Sequence, residues 1–225
     1  MIEASLLSST LLQDDVIDRT IAATIQLGSP GRCGPLPTLT VVVTDESPSV
    51  SGGGGNDPVG RRHSEMRAAL EQMTGSCTCG RCRVAVVTFD TPRGDLRQIK
   101  MRSPLYRAIV RGYFGRLWLP GMSSELAPAL RRATALKGSY PHHLTQIAIL
   151  TDWELHDHID DIERLVAQFD HVLAIGLNSP VPEWLRQRGA TALELSPTDQ
   201  RGSLALAIFT ELIRHRPGAI ERSTR

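Results

Sequence analysis

The segment that most constrains the fold is a short apolar run, Leu39 to Val43, that leads to a carboxylate. Its length and valine content are typical of a strand buried on both faces, as in the centre of a parallel sheet. Asp45 follows this run, and Ser47 and Ser49 follow at alternate positions. Ligands of open α/β sheets bind beyond the carboxyl ends of the strands. Three oxygens with this spacing can face one point, and they suit a hard divalent cation better than a nucleophile.

Strand and helix patterns alternate after this run, which predicts an α/β fold with right-handed crossovers. The predicted strands are 83–89, the edge strand 96–101, one that ends at Asp152, 171–177 and 190–195. The predicted helices are 63–73, 103–119 (a helix or a pair of turns), 125–136, 160–169, 182–188 and 202–215.

The chain divides into three predicted parts: residues 1–37, a domain over 38–216 and a polar tail over 217–225. The first part contains a predicted helix that ends near Gly28, followed by a connector rich in Pro and Gly. The apolar face of this helix packs against the domain's own sheet or, alternatively, docks a partner.

Three motifs in order match a known pattern. The segment Asp45-x-Ser47-x-Ser49, followed by Ser51-Gly52, resembles the first signature of the metal-ion-dependent adhesion site of von Willebrand factor type A (VWA) domains. The segment from Gly121, with Ser124 in the hydroxyl position, is similar to the family's Gly-Thr-Asp/Asn-Leu segment. The segment that ends in Thr-Asp152 is similar to the family's later strand.

The resemblance implies a Rossmann-like, doubly wound fold. Its sheet would be mainly parallel and six-stranded, with one antiparallel edge strand and helices on both faces. It also implies a Mg²⁺ or Mn²⁺ ion bound directly or through water by Asp45, Ser47, Ser49, Ser124 and Asp152. Because neutral hydroxyls would supply most ligands, the ion would keep positive charge and bind an acidic side chain of a partner protein.

The expected function is therefore an intracellular adaptor or scaffold that binds a partner through a divalent cation. The family often acts beside an AAA+-type ATPase or a co-encoded protein in bacterial multi-protein systems. Two alternatives are a metal-dependent hydrolase that uses the same Asp/Ser site and a structural VWA-like subunit whose site is empty. We expect no enzyme, because a dehalogenase-type phosphatase needs Asp-x-Asp, and no His and oxyanion pair can be assigned to a Ser47 nucleophile.

Charge and hydropathy exclude two classes of partner. The formal net charge of +1 gives no global field for nucleic acid or membrane binding. The N-terminus has no basic region, and no apolar run approaches the ~20 residues of a membrane helix. We expect a cytoplasmic protein.

The four cysteines form a second candidate metal site. Cys77, Cys79 and Cys82 lie in the predicted turn before the strand 83–89, and Cys33 precedes the first strand. Neighbouring parallel strands start at one edge, so four thiolates can close a tetrahedral structural zinc site opposite Asp45. Reduced thiols without a ligand role, and a disulfide, which the cytosol disfavours, are the alternatives.

Aromatic residues suggest a partner surface near the Ser124 loop. Four aromatics lie between Tyr106 and Trp118, interleaved with arginines, a composition found at interfaces as well as in cores. Trp153 replaces the glycine that often follows the family's Thr-Asp. Tyr113, Trp118 and Trp153 are the candidate partner contacts.

Overall fold

The computed structural model describes residues 36–51, 56–57, 62–77, 79–89, 94–115, 121, 123–196, 199–200 and 202–214. The predicted N-terminal helix and the predicted polar tail lie outside these residues.

The domain is built on one six-stranded sheet with the strand order β3-β2-β1-β4-β5-β6. Strand β3 pairs antiparallel with β2, and the other neighbours are parallel. The strands are β1 (Thr38–Thr44), β2 (Arg83–Thr88), β3 (Leu96–Lys100), β4 (Leu144–Thr151), β5 (His171–Leu177) and β6 (Thr191–Leu195). This sheet confirms the predicted mainly parallel architecture with one antiparallel edge strand.

Strand β1 lies in the middle of the sheet, between β2 and β4, and all of its residues are buried. Its side chains alternate between two cores. Val42 belongs to one core, whereas Leu39, Val41 and Val43 belong to the other. Both faces of the strand are covered, which explains why its sequence is continuously apolar.

Helices cover both faces of the sheet, as predicted. They are α1 (Pro48–Ser51), α2 (Arg62–Met73), α3 (Tyr106–Phe114), α4 (Ala127–Gly138), α5 (Ile159–Val166), α6 (Glu183–Gln187) and α7 (Ser203–Arg214). The face with α2, α3 and α7 forms the first core, and the face with α4, α5 and α6 forms the second. Across the described residues, we find no helix that is long and apolar enough to span a membrane.

A buried glutamate fixes α2 against α7. Glu65, on α2, accepts hydrogen bonds from the backbone amides of Gly202, Leu204 and Ala205 at 2.9, 3.0 and 3.2 Å. A carboxylate at a helix N-terminus satisfies unpaired amides and interacts favourably with the helix dipole. Helix α2 is therefore held firmly, and it carries residues that lie beside the candidate site.

The order of the strands creates a crevice. The chain runs from β1 outward to β2 and β3, and then returns to β4 on the other side of β1. The switch point of this doubly wound sheet therefore lies between β1 and β4, where ligands of such sheets bind at the carboxyl ends of the strands.

Candidate metal centre

Asp45 lies at this switch point, directly after β1. Its backbone amide donates to the carbonyl of Leu150 on β4 at 2.9 Å. Its Oδ1 accepts the amide of Ser47 at 2.8 Å, and its Oδ2 accepts the hydroxyl of Thr151 at 2.5 Å. The carboxylate is thus buried and held in one orientation by both strand ends.

The two serines of the motif are in direct contact. Ser47 Oγ lies 2.9 Å from Ser49 Oγ. Helix α1 brings them together, because it begins immediately after Ser47 and turns the chain. Ser47 is buried and Ser49 is half-buried, so the hydroxyl pair leads from Asp45 toward the surface.

Asp152 follows β4 on the other side of the crevice. It is 1% exposed. Its Oδ1 accepts the amide of Glu154 at 3.2 Å, and its Oδ2 accepts the side-chain amide of Asn56 at 3.2 Å. Asn56 also donates its backbone amide to the carbonyl of Ser49 at 2.7 Å. Asn56 therefore links the serine turn to Asp152.

The two aspartates create an electrostatic conflict. Burial raises the pKa of Asp45, and the charge of Asp152 raises it further, while hydrogen bonds from Thr151 and Ser47 act in the opposite direction. Within the described ranges, no Lys, Arg or His side chain forms an ion pair with either aspartate. Buried carboxylates are ordinarily paired or coordinate metals. The arrangement therefore fits a cation.

The Ser124 loop is fastened to the same edge. The carbonyl of Ser124 accepts the amide of His156 at 3.2 Å, and the amide of Gly121 donates to the carbonyl of Glu46 at 2.6 Å. Asp157 accepts the amides of Leu126 and Ala127 at 2.5 and 3.0 Å. Ser124 thus lies between the loops that follow β1 and β4.

All five predicted ligands consequently lie at one edge of the sheet, Ser49 in the short helix α1 and the other four on loops. The structure joins Asp45 to Ser47, and Ser47 to Ser49, by hydrogen bonds, and brings Asp152 within electrostatic range of Asp45. The carboxylate of Asp157 caps α4, because the loop after β4 folds toward the N-terminus of that helix.

Sequence reasoning missed a second buried cluster beside this site. Glu46 is 0% exposed. Its carboxylate lies 2.8 Å from Arg62 Nη2 and 2.8 Å from His63 Nε2, and it accepts the hydroxyl of Thr44 at 3.0 Å. Arg62 also pairs with Asp57 at 3.0 Å. An acid directly after an apolar strand is a weak signal, and no spacing rule connects Glu46 with α2.

The candidate partner aromatics do not form one surface. Tyr113 is 7% exposed, and its hydroxyl donates to the carbonyl of Gly94 at 3.1 Å. The prediction that Tyr113 contacts a partner is therefore wrong, because α3 turns this ring into the first core. Trp153 is half-buried and packs against the second core. Trp118 lies outside the described residues.

The cysteine cluster lies at the opposite edge of the sheet. Cys77 follows a 3₁₀ turn (Thr74–Ser76), and Cys82 immediately precedes β2. Cys79 lies between them, and the three sulfurs are within 4.8 Å of one another. Cys33 lies outside the described residues.

No family model and no curated protein matches the chain. Several solved structures do resemble the chain. The pilus adhesin SpaC from Lactobacillus rhamnosus GG has a TM-score of 0.61 at 12% identity, covering 82% of this chain and 31% of SpaC. Proximal thread matrix protein 1 from the mussel byssus, with a zinc-occupied MIDAS (metal-ion-dependent adhesion site) motif, has a TM-score of 0.56 at 18% identity.

The chain covers about half of the mussel protein, 48%, and that match includes 79% of this chain. The conserved hypothetical protein BatB from Bacteroides thetaiotaomicron has a TM-score of 0.52 at 13% identity, covering 78% of this chain and 97% of BatB. At these identities the likeness concerns the fold alone. Together with the strand order and the loops that carry the three motifs, it leads to one conclusion: the chain has the fold of a von Willebrand factor type A domain.

Proposed function

We propose that the chain is an intracellular protein-binding module that captures an acidic side chain of a partner through a divalent cation. The cation would be held by Asp45, Ser47, Ser49, Ser124 and Asp152. Oxygen donors of this kind are preferred by Mg²⁺ and Mn²⁺. When bound, the ion supplies an electrophilic position for a carboxylate.

One observation carries this proposal. Asp45 and Asp152 are both buried and close enough to interact electrostatically, without a basic partner in the described part of the chain, whereas Glu46 is paired with Arg62 and hydrogen-bonded to His63. The fold neutralises one acid with its own side chains and leaves the charge of the other two for an external cation. The zinc-occupied MIDAS motif of the mussel protein gives further support for a divalent ion.

The chain's own residues would hold and orient the ion. Hydrogen bonds from Ser47 and Thr151 fix the Asp45 carboxylate, and Asn56 and Glu154 fix that of Asp152. The hydroxyls of Ser47 and Ser49 are neutral donors, so they add ligands without cancelling the ion's charge. That remaining charge is what makes the proposed partner group an Asp or Glu side chain.

The test is calorimetric titration of Mg²⁺ and Mn²⁺ into the chelator-treated protein and into a Ser47→Ala, Ser49→Ala double variant. We expect one ion per wild-type chain and an affinity lower by at least about 10-fold in the variant, since two ligand oxygens are lost. A Ser103→Ala, Ser139→Ala variant, which removes two serines outside the site, serves as the matched control. A wild type that binds no ion would instead support the structural subunit with an empty site.

Partner capture from cell lysate, with Mg²⁺ or with chelator, tests the second half of the proposal. The captured protein should appear only with the metal and should be lost in the double variant. We propose a partner such as an AAA+-type ATPase or a co-encoded protein, in the cytoplasm, with no catalytic step. Phosphatase or esterase turnover that Asp45→Ala abolishes would overturn the non-enzymatic assignment.

A further inference from the structure

The three cysteines at the amino edge of the sheet have the spacing of a metal site. Cys77 Sγ lies 3.8 Å from Cys79 Sγ, and Cys79 Sγ lies 3.5 Å from Cys82 Sγ. Zn–S bonds of ~2.3 Å in a tetrahedron place neighbouring sulfurs about 3.8 Å apart. A disulfide would hold them at ~2.05 Å. The observed separations match two edges of a zinc tetrahedron.

Backbone amides donate to two of the three sulfurs. The amide of Arg81 donates to Cys79 Sγ at 3.3 Å, and the amide of Thr38 donates to Cys82 Sγ at 3.5 Å. These hydrogen bonds hold the two sulfurs in place within the turn. Gly80 adopts a φ of +69°, a left-handed conformation that turns the chain between Cys79 and Cys82.

The surrounding charge is positive. Arg81 and Arg83 flank the cluster in sequence, and after burial their charges contribute to lowering the pKa of the nearby His143. His143 Nε2 lies 3.2 Å from the carbonyl of Arg81, where it supports the turn. Positive groups offset the net negative charge of zinc bound by three or four thiolates.

We propose that Cys77, Cys79 and Cys82 bind a structural Zn²⁺ ion at the edge of the sheet opposite Asp45. The ion holds the turn before β2, and Cys82 in that turn accepts the amide of Thr38 at the start of β1. The ligand set is entirely sulfur, which selects zinc over the hard cations that suit the oxygen site. This inference does not depend on the proposed function, because the two sites share no residue.

The experiment must separate zinc at the two edges, since an oxygen site can also take zinc. We would measure the zinc and iron content of the full chain, purified under reducing conditions, in the wild type, in Cys79→Ser and in the Ser47→Ala, Ser49→Ala double variant. Cys79 is half-buried, so its replacement disturbs packing less than that of Cys77 or Cys82. We expect one zinc in the wild type and in the double variant, and loss of zinc in Cys79→Ser.

Cobalt substitution identifies the ligands directly. Thiolate coordination gives Co²⁺ an intense sulfur-to-metal charge-transfer band, which oxygen ligands do not give. The band should persist in the Ser47→Ala, Ser49→Ala double variant. In Cys79→Ser, the apparent affinity of the protein for Co²⁺ should fall by more than about 100-fold, because loss of a residue that only supports a ligand already costs about 10- to 100-fold.

The control for misfolding is a comparison of Cys79→Ser with the metal-stripped wild type. The two should have the same far-ultraviolet circular dichroism, and both should have a Tm lower than that of the zinc-bound wild type. Iron in place of zinc, a wild type without a charge-transfer band, or unchanged zinc in Cys79→Ser would overturn the site.

Discussion

Asp45 and Glu46 are adjacent buried carboxylates, yet their surroundings are opposite. Glu46 is paired within the fold with Arg62 and lies next to His63, at 2.8 Å each. Asp45 faces a second carboxylate, Asp152, and receives hydrogen bonds from neutral groups alone among the described residues. The difference separates a charge that is paired within the fold from one that, under the proposed function, would bind a cation.

Alternation along an extended chain explains how neighbours acquire such different roles. Successive side chains point to opposite faces, so Asp45 and Ser47 face the crevice between β1 and β4 while Glu46 faces α2. A one-residue slip would exchange the two acids. The following predictions test whether the two roles are as distinct as this geometry requires.

The largest effect is expected for Glu46→Ala. Removing the acid takes away the carboxylate that lies 2.8 Å from both Arg62 and His63, although Arg62 keeps its pair with Asp57. Breaking a buried ion pair from one side destabilises proteins by about 3–5 kcal/mol. Urea unfolding in chelator measures the loss. Glu71→Ala, which removes a pair with the 62% exposed Arg111, should lower the free energy of unfolding by less than about 1 kcal/mol. Equal losses in the two variants would contradict the comparison.

Asp45→Asn should have the opposite effects to Glu46→Ala: it should weaken Mg²⁺ binding without lowering the free energy of unfolding. The affinity for Mg²⁺ should fall by at least about 100-fold, because an ion pair at short range near a protein surface is worth about 4 kcal/mol. The free energy of unfolding in chelator should not decrease, since the variant removes a desolvated charge. Asp170→Asn is the matched control, because Asp170, like Asp45, accepts one backbone amide and one threonine hydroxyl, here both from Thr145 at 2.7 and 2.6 Å. It should leave Mg²⁺ binding unchanged.

The pH dependence of stability should reveal the charge of Asp45. Its pKa is raised in the folded state, so the folded chain holds this proton when the unfolded chain, with a pKa of about 3.9, has lost it. The wild type should therefore lose stability relative to Asp45→Asn as the pH rises from about 4, until the pH passes the folded pKa. Denaturation midpoints of both proteins in chelator, taken across this range, measure the difference. A difference that grows with rising acidity would refute the assignment.

The smallest effect is expected for Ser124→Thr. A threonine keeps the oxygen and restricts χ1, so less side-chain entropy is lost when an ion binds. The affinity for Mg²⁺ should rise about two- to threefold, as measured by titration. Ser123→Thr, at the neighbouring position, should have no effect. Weaker Mg²⁺ binding by Ser124→Thr than by the wild type would argue against Ser124 as a ligand.

The sequence predicts the fold well, because β1 is apolar over its whole length and the strand and helix patterns alternate regularly after it. It also predicts the loops that carry Asp45, Ser124 and Asp152. It does not predict the pairing of Glu46 with Arg62, since that contact joins a strand end to a separate helix and leaves no periodic pattern. Tyr113 was misassigned because an amphipathic helix next to a site has the same composition whether its aromatics are buried or exposed.

Trp153 has a φ of +60°, a left-handed conformation that costs a bulky residue about 1–2 kcal/mol. Its side chain packs into the second core, and its amide donates at 3.1 Å to the Thr151 hydroxyl that also binds Asp45. Packing and this hydrogen bond restrict the loop after β4 in the folded chain. Under the proposed function, the ordering entropy of this rim would be lost during folding, so that binding a partner there would not include that cost.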